Sequence, residues 1–85
     1  MGEPIEPIPL DYSCPADVAY PSGAVEQQVS YQAEYYPHND GVRLIGAWDE
    51  DGLWVLDKIE PYDLARSEAT ARHWGHDIVE RSTLD

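Results

Sequence analysis

From Val25 onward hydrophobic and polar side chains alternate. Val25, Val29, Tyr31, Ala33 and Tyr35 fall on one side, and Glu26, Gln28, Ser30, Gln32 and Glu34 on the other. A period of two predicts a half-buried strand with one polar face. Pro37-His38-Asn39-Asp40-Gly41 then carries turn chemistry, and Val42 to Trp48 predicts a second strand. Asp49-Glu50-Asp51-Gly52 predicts a tight turn with Gly52 at positive φ, followed by a third strand over Leu53 to Ile59. In these last two strands Val42, Leu44, Trp48, Leu53, Val55 and Ile59 share one face, and Ile45, Ala47, Trp54 and Leu56 the other. A sheet apolar on both sides has to be covered twice or leave a patch for a partner.

After Pro61 the period lengthens. Leu64, Ala71, Trp74 and Ile78 recur at spacings of seven, three and four, one stripe of an amphipathic helix with Pro61 near its start and Asp63 as N-cap. Gly75 is the weak point at which that helix would bend or divide. At the other end of the chain, residues 3–10 hold three prolines and a small Glu-Pro-Ile repeat, and Pro15 and Pro21 continue the irregular character. Ile5, Ile8, Leu10, Tyr12, Val18 and Tyr20 imply that part of this segment packs on the domain. The expected fold class is α+β: a proline-rich N-terminal arm over residues 1–23, then a single βββα domain over residues 24–85. The domain is a three-stranded antiparallel β-meander packed against one C-terminal α-helix.

Charge changes the picture most. The 85 residues hold 17 Asp and Glu against five Lys and Arg, a formal net charge of −12. Thirteen of the acids lie within residues 1–63, where only Arg43 and Lys58 oppose them. Such a field repels nucleic acid and anionic membrane and attracts basic surfaces. It is larger than solubility needs, and the three Trp and six Tyr argue against disorder as its explanation. The single cysteine, Cys14, forms no internal disulfide, and the acidic, proline-rich start lacks the basic and apolar regions of a signal peptide, so a cytoplasmic setting is expected.

Catalytic and metal chemistry find little support. His73 and His76 are three apart on the predicted helix, with Asp77 or His38 as a further ligand, but structural sites usually take four ligands and both lie on the expected solvent side. Ordinary surface histidines are the favoured reading, and no metal or cofactor is expected. Cys14 sits between Asp11 and Asp17, which oppose thiolate formation. A calcium loop read from Asp49 places Gly52 fourth and Leu53 fifth, against the pattern such loops require. No phosphate-binding glycine motif is present. The chain is expected not to be an enzyme.

The carboxylates that lack nearby cations are the stronger candidates: Asp40, Asp49, Glu50 and Asp51 in turns, Asp57 and Glu60 on and after the third predicted strand, and Glu26 and Glu34 on the polar face of the first. Alternate strand residues are about 6.6–6.8 Å apart, near the spacing of successive phosphates on one nucleic-acid strand. In size, charge, α+β character and Tyr/Trp-with-carboxylate composition the chain resembles the small acidic phage-type inhibitors, the DNA-mimicking anti-CRISPR and anti-restriction proteins. That resemblance implies a stoichiometric block of the DNA-binding surface of a CRISPR or restriction effector, more narrowly the PAM-reading groove of a type I surveillance complex. The expected partner is a basic protein surface, met by a monomer rather than a homodimer through these carboxylates, with Trp54 and tyrosines such as Tyr36 adding contact area. The alternative is an antitoxin-like or scaffold module that binds through the apolar sheet face of Ile45, Trp54 and Leu56.

Overall fold

The computed structural model describes residues 6–83. The chain runs β1 (Ile8–Tyr20), β2 (Gly23–Tyr36), β3 (Gly41–Trp48), a short 3-10 turn (Leu56–Lys58) and α1 (Pro61–Thr83). Three antiparallel strands form one sheet in the order β1-β2-β3, with the single helix packed across one face. The fold is therefore α+β, a meander with a C-terminal helix.

Two strand assignments differ from the sequence reading. Residues 8–20 are not an arm but the first strand of the sheet, paired with β2 from Ile8 opposite Tyr35 to Tyr20 opposite Gly23. Residues 1–5 of the expected arm lie outside the described residues. Prolines are tolerated here for a geometric reason. The Asp17 N–H points away from β2 and donates to Asp63 Oδ2 at 3.1 Å. Pro15 and Pro9 lie two and eight residues earlier, so in a regular strand their nitrogens face the same outer edge, where no ladder bond is lost.

The expected third strand over Leu53 to Ile59 is the second difference. Asp49 ends the pairing: its Oδ1 accepts the N–H groups of Asp51 and Leu53, both at 2.9 Å, and Gly52 turns at φ 83° as expected. Trp54, bridged to Trp48, and Val55, whose N–H donates to the Ala47 carbonyl at 2.7 Å, then pair with β3. The 3-10 turn carries the chain under the sheet to the opposite edge, where Ile59 bridges Val18. Val55 and Ile59 are buried on the way, packed with Ala16, Val18, Val29, Tyr31 and Ala47.

The helix is continuous through Gly75. Its buried residues are Asp63, Ser67, Ala71 and Gly75, a stripe of small or polar side chains four apart. Large side chains of the sheet fill the space they leave. Tyr12 donates to the Ser67 carbonyl at 2.9 Å, and a Cβ on Gly75 would lie 2.2 Å from the Tyr35 ring. Glycine is thus required by the approach of an aromatic ring to the helix backbone. Trp74, expected in the core stripe, is instead 46 % exposed. Asp63 is not the N-cap; it sits in the first turn with its carboxylate turned inward to Asp17 and Arg66. No helix among the described residues is long and apolar enough to cross a membrane.

Candidate partner-binding surface

Alternation gives β1 and β2 two unlike faces. Even positions of β1 and odd positions of β2 point to the helix and hold the core. The opposite face has no covering layer among the described residues: Asp11, Ser13, Asp17 and Ala19 of β1 and Glu26, Gln28, Ser30 and Gln32 of β2 are all exposed. Glu34, half-buried, continues it and accepts a hydrogen bond from the Tyr36 hydroxyl at 2.9 Å.

The densest charge on this face is a row across the strands. Asp17 stands directly opposite Glu26 in the ladder. On the other side of Asp17, the antiparallel bridge between Val18 and Ile59 brings Glu60 alongside, also exposed. Neighbouring strands are about 4.8 Å apart, so three carboxylates follow one another at close spacing. Like charges directly opposite in a sheet are destabilising. No described side chain forms an ion pair with any of the three. Farther along, Asp11 is paired with Gln32 in the ladder, and Arg43 of β3 stands opposite Glu34. From Glu26 to Glu34 the face extends about 27 Å at about 3.4 Å per residue.

An aromatic strip borders the acids. Gly46 allows the Trp48 ring to lie across β3, since a Cβ there would meet that ring at 2.5 Å. Trp48 is paired with Ser30 and so shares the open face, and Trp54, its bridge partner, is 49 % exposed. Ile45, next to the bulge in β3, is 43 % exposed. Leu56, by contrast, is half-buried against the core on the helix side.

The turn carboxylates separate into two kinds. Asp49 is 6 % exposed and committed to the fold: besides the two N–H groups it accepts the Tyr20 hydroxyl at 2.7 Å. That bond, and then the Leu53 N–H, hold its carboxyl below the ordinary aspartate range. Asp40, at φ 59°, ties the β2–β3 turn to the helix. It accepts the Tyr35 hydroxyl at 2.7 Å, meets His76 Nε2 at 2.5 Å, and its carbonyl accepts Arg72 Nε at 3.1 Å. The Tyr35 bond, followed by that to His76, lowers its pKa. Glu50 and Asp51 remain exposed at the turn tip, and Asp57 is exposed beside Lys58 at 3.6 Å.

Of the residues expected to meet a partner, Glu26 and Glu60 are thus brought together, Glu34 and Tyr36 lie at the far end of the same face, and Trp54 lines its border. Asp57, Glu50 and Asp51 are peripheral, and Asp40 and Asp49 are engaged internally. Asp11 and Asp17 join the surface from the segment read as an arm. Their signal was present: Ile8, Leu10, Tyr12, Cys14, Ala16, Val18 and Tyr20 alternate as regularly as β2 does.

His73 is exposed with its ring edge toward Trp74, and among the described residues no three His, Cys, Asp or Glu side chains converge as metal ligands. No protein-family model, curated protein or solved structure matches the chain.

Proposed function

We propose that this chain is a non-catalytic binding protein that occupies a basic, nucleic-acid-binding surface of another protein through the open face of its sheet. The observation that carries this reading is the unneutralised row Glu60, Asp17 and Glu26. The backbone register sets three carboxylates side by side with no cation of the described residues paired to them, an arrangement that a partner's Lys or Arg side chains complement on docking. A cleft that gains affinity by neutralising phosphates offers such cations in quantity. The resemblance to DNA-mimicking inhibitors makes a CRISPR or restriction effector the partner class, with the DNA-reading groove of a type I surveillance complex as the narrower candidate.

Competition binding tests it. The purified chain should displace duplex DNA from such an effector, with an affinity that falls as salt rises. Replacing Asp17 and Glu26 together by Lys should abolish displacement. Retention of full competition by that double variant, or salt-independent binding, would sink the proposal.

A second reading, an antitoxin-like or scaffold module, draws on the strip formed by exposed Ile45 and Trp54 with half-buried Trp48. Under it Trp54→Asp removes association while added salt leaves it intact.

A further inference from the structure

The outer edge of β1 is closed over only part of its length. Val18 is bridged to Ile59 and the Asp17 N–H is held by Asp63, but from Pro9 to Pro15 no described segment pairs with the edge. Asp11 and Ser13 share the orientation of Asp17, so each directs its N–H and C=O outward, while Pro9 and Pro15 direct only a C=O. Beside this stretch lies a groove of about 440 Å³, with Pro9–Ser13 as one wall and Trp74 and Ile78 of α1 as the other. A helix flanking a free strand edge is the geometry by which extended peptides are bound as an added strand.

We propose that this groove captures an extended peptide in which basic and apolar residues alternate, added to the sheet as a fourth strand beside Asp11 and Ser13. The two prolines delimit the site, because neither offers a donor to a longer ladder. Side chains of an added strand alternate between two sides. Those directed under the helix meet Trp74 and Ile78, whose exposed indole and half-buried aliphatic chain give them apolar contact. Those on the other side lie beside Asp11, at the margin of the face that also bears Asp17, Glu26 and Glu34, and there a Lys or Arg is complementary. A second copy of the chain is the poorer occupant. It would bring Asp11 and the rest of an acidic face against their own kind in a molecule of net charge −12.

This site shares Asp11 with the margin of the open face, but the two readings fail independently. Ser13→Pro deletes an outward N–H without altering any charge, whereas Glu34→Lys alters the face without touching the edge. The probe is an acetylated peptide of about seven alternating Lys and Val residues, enough to span Pro9 to Pro15. Titrated into the isotope-labelled protein, it should give saturable shifts at the Asp11 and Ser13 amides and the Trp74 indole N–H. Ser13→Pro should keep the fold, as Pro9 and Pro15 do, and weaken binding about tenfold or more, and Trp74→Ala should weaken it about tenfold. A peptide N-methylated at alternate residues, which cannot form the ladder, should not bind, and this holds even if the proline variant proves unstable. Undiminished binding of the N-methylated peptide or to folded Ser13→Pro, equal binding of a Glu-Val peptide, or a wild-type dimer that Ser13→Pro dissociates would each overturn the proposal.

Discussion

The two faces of the β1–β2 hairpin are made from the same two strands, residue by residue in alternation, and have opposite characters. The covered face is a fit of large rings on the sheet to small residues on the helix: Tyr12 against Ser67, and Tyr35 against Gly75. The open face has no fit to make and carries the charge. Stability is thus concentrated on one side of a single layer of backbone, and charge that opposes stability on the other. A substitution on the first face should be read in folding, and one on the second in binding.

The sharpest way to break this contrast is to remove a ring from the covered face. Tyr35→Ala should destabilise the protein by about 3–5 kcal/mol in denaturant titrations, the scale of emptying a buried aromatic site. A cost under about 1 kcal/mol would mean that the ring is not part of the packing. Gly75→Ala is the subtler case. Alanine is the better helix former by about 1 kcal/mol, but its Cβ has to displace the Tyr35 ring, and overpacking of that kind costs about 1–3 kcal/mol. A net loss of stability is expected, and a gain would show that ring and helix separate easily.

Titration probes the covered side by pH. Asp40 and Asp49 have folded-state pKa values below the ordinary aspartate value of 3.8, through bonds led by Tyr35 and Tyr20 respectively. Their contribution is present above 3.8 and is lost as pH falls from there through the depressed folded values. Tyr31 behaves in the opposite sense. Burial pushes its pKa from 10.0 up to about 12, so its contribution is present below 10.0 and is lost as pH rises through about 12. Melting curves across pH should fall at both ends, and Tyr31→Phe should remove part of the alkaline loss alone.

The smallest folding effect belongs to the open face. Asp17→Lys converts a repulsive row into an attractive one and should raise the melting midpoint by about 1–4 °C, while weakening any salt-sensitive partner binding severely. A marked fall in the midpoint would place Asp17 on the structural side and dissolve the distinction between the faces.

Legibility in the sequence follows the same division. β2 and the helix were readable because each keeps its own period, and Gly52 was readable as a positive-φ turn; β3 was readable as a strand but not in its faces, because the bulge at Ile45 turns Ala47 into the core and Trp48 to the open face. β1 is hidden in the sequence because its prolines read as breakers, and only the tertiary pairing shows that the nitrogens of Pro9 and Pro15 face the outer edge. At the surface, Glu26 and Glu34 were readable from alternation alone. Asp17 and Glu60 were not readable as neighbours of Glu26, because residues 17, 26 and 60 meet only through one hairpin and one isolated bridge.

What the sequence by itself determined is the class of structure and the sign of its field: periods of two and then 3.6, and a charge of −12 placed almost wholly before the helix. Both are local or additive properties, and neither depends on which distant residues touch. Tertiary structure alone decided that Leu53 to Ile59 crosses beneath the sheet instead of extending it, that Gly75 admits a ring, and that Asp40 and Asp49 serve the fold while Asp17 and Glu60 face solvent. Those outcomes turn on pairing and packing between segments far apart in the chain, where shape and hydrogen-bond partners, rather than periodicity, select among arrangements that the local pattern leaves equal.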